Sequence, residues 1–91
     1  MTGARYGVEY DPRAIKELSK LDRSIARRVR AAIEALADDP RPPGCVKLAG
    51  YGDLWRIKAA KDYRIIYAIE DAALLVLVVR VGHRGDLYDR L

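Results

Sequence analysis

The sequence predicts an α+β fold in which an N-terminal strand leads into a helical hairpin, and the hairpin covers one face of an antiparallel sheet of three to four strands. Three observations carry that prediction. Apolar residues recur at helical spacings of three and four between Ala14 and Leu36. Four runs rich in β-branched and aromatic residues follow residue 45. Between them, Arg41-Pro42-Pro43-Gly44 can neither extend a helix nor sit inside a sheet, so it divides the chain into a helical and a strand-forming part. Packing one layer on the other buries both apolar faces.

Each element follows from local chemistry. Residues 5–10 alternate Tyr6, Val8 and Tyr10 with Gly7 and Glu9, a short strand stopped by Asp11-Pro12. Asp11 suits an N-cap and Pro12 the first helical position. Ile15, Leu18 and Leu21, with Ala14, form the apolar stripe of a brief first helix closed by Leu21-Asp22. A second helix starts near Asp22 or Ser24, turns Ile25, Val29, Ala32, Ile33 and Leu36 to one side, and ends by Asp38-Asp39-Pro40. Strands are expected over residues 46–48, 54–59, 63–70 and 72–81. The connections between them, Gly50-Tyr51-Gly52-Asp53, Lys61-Asp62 and Glu70-Asp71, are short enough to require antiparallel neighbours. No repeat or linker interrupts the 91 residues, so a single domain over 1–91 is expected.

Composition narrows the function classes. With 51% hydrophobic and 33% charged residues the chain has enough apolar surface to fold. Its 17 Lys and Arg against 13 Asp and Glu leave a net charge of +4, which favours an anionic partner such as nucleic acid. Cys45 is the single cysteine, so no internal disulfide forms, and with one histidine it cannot complete a four-ligand zinc site. No stretch approaches the roughly 20 apolar residues of a membrane span, and residues 1–10 lack a signal peptide's apolar core, so no membrane partner and a cytoplasmic location are expected. Asp53, Asp62, Glu70, Asp71, Asp86 and Asp89 are scattered at turns and ends rather than clustered as a two-metal nuclease requires. Neither a metal nor another cofactor is expected.

The residues that can carry chemistry lie in the strand region. Alternation puts Arg56 and Lys58 on one face about 7 Å apart, with Trp55 and Ile57 on the other. Arg64, Ile66, Ala68 and Glu70 share a face of the next strand, and hairpin pairing would bring Arg64 beside Arg56 and Lys58. The last strand adds His83, Arg84 and Tyr88 at its end. Cutting RNA without metal requires deprotonating a ribose 2′-OH, stabilising an anionic phosphorane and protonating the leaving 5′-oxygen. Fixed Arg and Lys charges suit the middle task, and a phenol or amine in a positive field loses its proton more readily, which makes Tyr88 or Lys58 the candidate base.

The ordered series Leu48 to Gly50, Leu54-Trp55-Arg56-Ile57-Lys58, Asp62-Tyr63-Arg64-Ile65-Ile66-Tyr67 and Val79-Arg80-Val81-Gly82-His83-Arg84, closing on Tyr88, resembles the RelE branch of the RelE/ParE toxin superfamily over nearly the whole chain. The resemblance implies a RelE-like fold of the microbial-ribonuclease type. It also implies the toxin of a type II toxin–antitoxin pair, which cuts mRNA in the ribosomal A site by 2′-OH attack and leaves a 2′,3′-cyclic phosphate. Arg56 and Lys58 then match the family's basic pair, Lys58 helping to activate the 2′-OH. Arg64 and Arg84 match the arginines that hold the scissile phosphate, with Arg84 a proton donor, and Tyr88 matches a tyrosine that stacks on the base or acts as base. The chain departs from the pattern at Arg56, where some members carry Lys. Only Asp89, Arg90 and Leu91 follow Tyr88, so no long C-terminal helix is expected over the site. A RelB-like, partly disordered antitoxin is the implied partner, beside mRNA and the ribosome, with operator DNA bound only through that antitoxin.

Plainer readings stand beside these. Arg56 and Lys58 also suit a solvated strand face, and His83, secondary here, also suits a turn hydrogen bond even though its ordinary pKa near 6.5 permits proton transfer. Arg23, Arg27, Arg28 and Arg30 mark a helix with no acid between Arg23 and Ile33, either a solvated face or a set of anchors for ribosomal RNA phosphates. Trp55, Tyr63 and Tyr67 fall opposite the cations and are expected to pack. Two other functions remain open: a ParE-like inhibitor of DNA gyrase without nuclease activity, a branch that generally lacks the basic and tyrosine set, and an inactive module that only holds its antitoxin.

Overall fold

A computed structural model describes residues 5–87. In chain order the elements are β1 (Gly7–Tyr10), α1 (Pro12–Ser19), α2 (Arg23–Asp38), β2 (Val46–Lys47), β3 (Leu54–Ala60), β4 (Tyr63–Glu70), a 3₁₀ turn (Asp71–Ala73), β5 (Leu75–His83) and the single turn α3 (Arg84–Leu87). The fold is the expected α+β arrangement. The strands form one sheet in the order β1-β5-β4-β3-β2. Pairs β2/β3, β3/β4 and β4/β5 are antiparallel, as their short connections demand. β1 enlarges the expected sheet to five strands by pairing parallel with β5, Val8 opposite Val76 and Tyr10 opposite Val78.

Both helices begin where their caps dictate. Asp11 accepts from the Arg13 amide at 2.8 Å, and Pro12 fills the position whose missing N–H is not needed. Asp22 accepts from the Ser24 amide at 3.2 Å and from its hydroxyl at 2.7 Å, which settles the start of α2 at Arg23. The α2 stripe buries Val29, Ile33 and Leu36, with Ile25 and Ala32 half-buried against the same core. In α1 only Ala14 and Leu18, one turn apart, are buried. Ile15, expected in that stripe, is 55% exposed because the short helix meets β5 along a single ridge.

The core lies between the hairpin and one face of the sheet. Ile65, Tyr67 and Ile69 of β4 and Val76, Val78 and Val81 of β5 meet the helices, and Trp55, Ile57, Ala59 and Tyr63 pack at its margin. The last strand starts later than expected and runs further. Residues 71–73 form the 3₁₀ turn, Leu74 takes φ 51° to reverse the chain, and pairing with β4 continues to Tyr63 opposite His83. Alanines 72 and 73 are poor strand formers, which fits their place in the turn.

The connector is fixed by polar contacts. Tyr67, fully buried, donates its hydroxyl to the Pro40 carbonyl at 2.8 Å, and burial holds its phenol well above the ordinary range. Arg41 pairs with both oxygens of Asp71 at 3.2 and 3.0 Å and lies 5.2 Å over the Trp55 ring, while Tyr6 donates to Asp71 at 2.6 Å. No helix of the described residues is long and apolar enough to cross a membrane.

Two features of this packing can be tested by stability measurements. Ile33→Ala removes a fully buried side chain at the hairpin–sheet contact, so the urea midpoint should fall by an amount equivalent to about 2–5 kcal/mol. The second concerns acid. Hydrogen bonds from Arg41 and Tyr6 hold the Asp71 carboxyl below its ordinary value of 3.8, so its stabilisation is present above that value and is lost as pH falls through the lower folded pKa. Asp71→Asn should therefore lower the urea midpoint at neutral pH, and the gap from wild type should close in titrations below pH 3.8.

Candidate functional site

Strand parity gathers the cations on the sheet face turned away from the helices. Lys58 lies directly across from Arg64, and Arg64 directly across from Gly82. One step along, Arg56 is flanked by Val46, Ile66 and, beyond Ile66, Arg80. Directly opposed side chains have Cβ atoms about 4.5–5.5 Å apart, so Lys58 and Arg64 are close neighbours and Arg56 lies on the diagonal. Gly82, buried, brings no side chain to the row.

The chain beyond β5 closes the site. The Arg84 amide donates to the Asp62 carbonyl at 2.7 Å, tying the start of α3 to the β3–β4 turn. A depression of about 540 Å³ results, lined by Arg56, Arg64, Arg84 and Gly85. Arg56 and Arg64 are half-buried, whereas Lys58 and Arg84 are exposed. Arg64 Nη1 also donates to the Tyr63 carbonyl at 3.4 Å, which turns its guanidinium back over its own strand. Tyr88 lies outside the described residues.

Charge pairing separates these cations from four arginines elsewhere, although Arg23, Arg27, Arg28 and Arg30 of α2 likewise have no carboxylate partner among the described residues. Arg5, Arg13, Arg41 and Arg80 each form an ion pair with Asp or Glu. Among the described residues none of Arg56, Lys58, Arg64 and Arg84 has such a partner. Three guanidiniums around one depression repel one another until an anion enters, so the site is electrostatically suited to phosphate. Developing charge on a phosphorane would be met by donors that are already in place.

The other sequence-derived candidates lie elsewhere. His83 follows Gly82, so its side chain turns to the helix side. Its Nδ1 accepts from the Gly85 amide at 3.3 Å, its Nε2 is 3.8 Å from Asp62, and its ring meets Tyr63 edge-on with centroids 5.6 Å apart. It lines a separate recess with Glu17, Lys20, Leu21 and Tyr63. Arg23, Arg27 and Arg30, spaced four and three apart, border a groove of about 490 Å³ floored by Leu18, Leu21 and Ala26, and Arg28 is outside that lining. Among the described residues no three His, Cys, Asp or Glu side chains group as metal ligands would.

Two residues that sequence reasoning passed over brace the site from behind. Glu17 of α1 takes Arg80 at 2.8 Å and the Val81 amide at 2.8 Å, immediately before Gly82. The one signal available was position: Glu17 sits three residues after Ala14 and one before Leu18, a carboxylate at the margin of a buried stripe.

Known proteins resemble this chain closely. It matches the family described as the ParE toxin of type II toxin–antitoxin systems, parDE, over residues 8–88. It is 35% identical over 88 residues to a putative RelE-like toxin protein of Escherichia coli, covering 93% of this chain and 92% of that protein. With the mRNA interferase toxin RelE of Escherichia coli K12 it shares 31% identity over 80 residues, covering 87% and 83%. Its fold superposes on the RelBE2 toxin–antitoxin complex of Mycobacterium tuberculosis with a TM-score of 0.78 at 27% identity, over 91% of this chain and 95% of that one.

If the depression binds phosphate, affinity for a short single-stranded oligodeoxynucleotide should fall with salt, and the log–log slope should shrink by about 0.7 for each lost contact in Arg64→Ala and Arg84→Ala. Fluorescence anisotropy across a salt series measures this. Arg13→Ala, whose guanidinium is already paired with Asp11, should keep the wild-type slope. An equal change there would indicate diffuse rather than localised binding.

Proposed function

Because the chain belongs to the ParE toxin family of type II toxin–antitoxin systems, and within the RelE/ParE superfamily to the RelE branch, we propose that it is an endoribonuclease that cuts mRNA in the ribosomal A site without a metal. The observation that carries this reading is the grouping of Arg56, Lys58 and Arg64 on one sheet face with Arg84 of α3 beside them, none with a carboxylate partner among the described residues. Arg64 and Arg84 hold the scissile phosphate. A base, Lys58 or Tyr88, takes the proton of the ribose 2′-OH, the 2′-oxygen attacks phosphorus, and the bond from phosphorus to the 5′-oxygen breaks. The departing 5′-oxygen takes a proton from the Arg84 guanidinium, which regains one as the protonated base returns its proton through solvent, and a 2′,3′-cyclic phosphate remains. Arg56 adds positive charge where the phosphorane becomes most anionic.

So open a site supplies charge but little orientation. The ribosome, by fixing the codon, supplies the alignment that converts an encounter into an intramolecular-like step. Arg23, Arg27, Arg28 and Arg30 of α2 would anchor the protein on ribosomal RNA phosphates, which position without reading sequence. The cell holds this activity in check with a cognate RelB-like antitoxin, as in the RelBE2 complex, and operator DNA is met only through that antitoxin. The work is done in the cytoplasm, where translation occurs.

A ParE-like inhibition of DNA gyrase has one observation in its favour, the family description that the chain matches. Primer extension on mRNA in a purified translation system separates the two. Wild type should produce A-site cuts, Arg84→Ala should reduce them at least 100-fold, in line with loss of one charge-stabilising donor, and Tyr88→Phe separates stacking, which it keeps, from proton transfer, which it removes. Intact mRNA together with arrested gyrase supercoiling would overturn the ribonuclease reading.

A further inference from the structure

The two strands beside β5 differ in reach. β1 is four residues long and pairs with β5 from Leu75 to Val78, where the Asp11 amide donates to the Val78 carbonyl at 2.8 Å. β5 continues to His83, so among the described residues its outer edge over residues 79–83 has no strand beside it. That uncovered half is the part that leads to Arg84. Its ladder with β4 also changes register there: Tyr67 pairs with Val78 but Ile66 with Arg80, leaving Val79 as an extra residue. Such a bulge bends a strand and re-aims the residues beyond it.

Glu17 stands where the missing strand would be. Its Oε1 accepts from the Val81 amide at 2.8 Å, and its carboxylate accepts from Arg80 Nε at 3.1 Å and Nη2 at 2.8 Å. The pair is nearly dry, with side chains 8% exposed for Arg80 and 14% for Glu17. A buried ion pair of this kind adds little to stability beyond what two apolar side chains of similar volume would give. What apolar side chains cannot do is accept from the Val81 amide. Arg80 fixes the carboxylate, and the carboxylate fixes the strand.

We infer that Glu17 is a positioning residue for the cationic site: by holding Arg80 and Val81 it sets the path of the second half of β5 and thereby the place of Arg84 beside Arg64. This rests on the ribonuclease reading only for its consequence in rate. Glu17 does not touch the depression, since it lines the recess on the opposite side with Tyr63 and His83. Its effect travels through Val81, Gly82 and His83, which are held on their other side by pairing with β4 and by the Arg84 amide on Asp62. Displacement of a reacting group by about 1 Å is enough to slow a reaction roughly 100-fold.

The test uses three variants. Glu17→Met leaves the Arg80 charge without this carboxylate and should lower the thermal midpoint, whereas Glu17→Met/Arg80→Met should restore it. Glu17→Gln keeps an acceptor for the Val81 amide. In single-turnover cutting of ribosome-bound mRNA, the double variant should lose about 10- to 100-fold in maximal rate. Its half-saturating concentration should stay within about threefold, whereas Glu17→Gln should retain most of the rate. Two NMR readouts act independently of cutting: in the double variant Val81 amide exchange should accelerate at least tenfold and the Arg84 Nε–H resonance should move. A double variant that folds, cuts at the wild-type rate and keeps both NMR signatures overturns the assignment. If wild type itself cuts no RNA, the ribonuclease reading has failed, and the NMR pair alone decides whether Glu17 positions Arg84.

Discussion

A slip of one residue between β3 and β4 would turn this molecule inside out. Trp55, Ile57, Ile65 and Tyr67 meet the helices only because Arg56, Lys58, Arg64 and Ile66 do not, and the period of two makes each assignment depend on all the others. Burying Ile65 and Tyr67 completely against the hairpin therefore fixes the cationic face as well as the core. Tyr67 strengthens the register by donating to Pro40, since a buried phenol moved to the wrong face would leave that hydroxyl without its acceptor. Stability and function here share one constraint, and the hydrophobic side of the sheet enforces the charged side.

That shared constraint explains why so much is legible in the sequence. Alternation is local, so Trp55-Arg56-Ile57-Lys58 announces two faces without knowledge of the partner strand, and Asp11-Pro12 and Asp22 announce helix starts through contacts two residues away. The features that are not legible depend on distance in the chain or on broken periodicity. Glu17 and Arg80 are 63 positions apart. The extra residue at Val79 puts Arg80 opposite Ile66, although counting by twos from Val76 and Val78 would aim it at the helices. The parallel docking of β1 on β5 has no local signal, because alternating Tyr6, Val8 and Tyr10 specify a buried face and not a neighbour. Ile15 leaves its expected stripe because a helix of two turns buries one ridge, and Ala14 with Leu18 already supplies it. Tyr88 falls outside the described residues, so its part in the site rests on resemblance.

Two groups of arginines differ here in their pairing. Arg41 and Arg80 meet carboxylates on other elements and tie parts of the fold together, Arg41 joining the connector to the 3₁₀ turn and to Trp55, Arg80 joining β5 to α1. The cleft cations have no such acids among the described residues, and their mutual repulsion is a standing cost in the free protein. A toxin kept bound by an antitoxin can carry that cost, since an acidic or polar segment over the site would relieve it and the same relief would come from RNA. The repulsion thus favours whatever anionic group comes to lie over the cleft.

The division of β5 completes this picture. Its first half is a core strand, paired on both sides, with Val76 and Val78 fully buried. Its second half departs from β1 and leads, through Gly82 and His83, to Arg84 at the cleft. A strand freed on one edge gains reach but loses the ladder that would hold it still, and a bulge at the point of departure adds a bend. A site that needs its arginines within a few tenths of an ångström cannot accept that looseness. The Glu17 carboxylate resolves the conflict by acting as a strand of one residue, paired to Val81 and locked by Arg80, on the side where it leaves the cleft open. Helix α1 therefore has two roles that its sequence separates by a single position: Leu18 packs the core, and Glu17 steadies the strand that leads to Arg84.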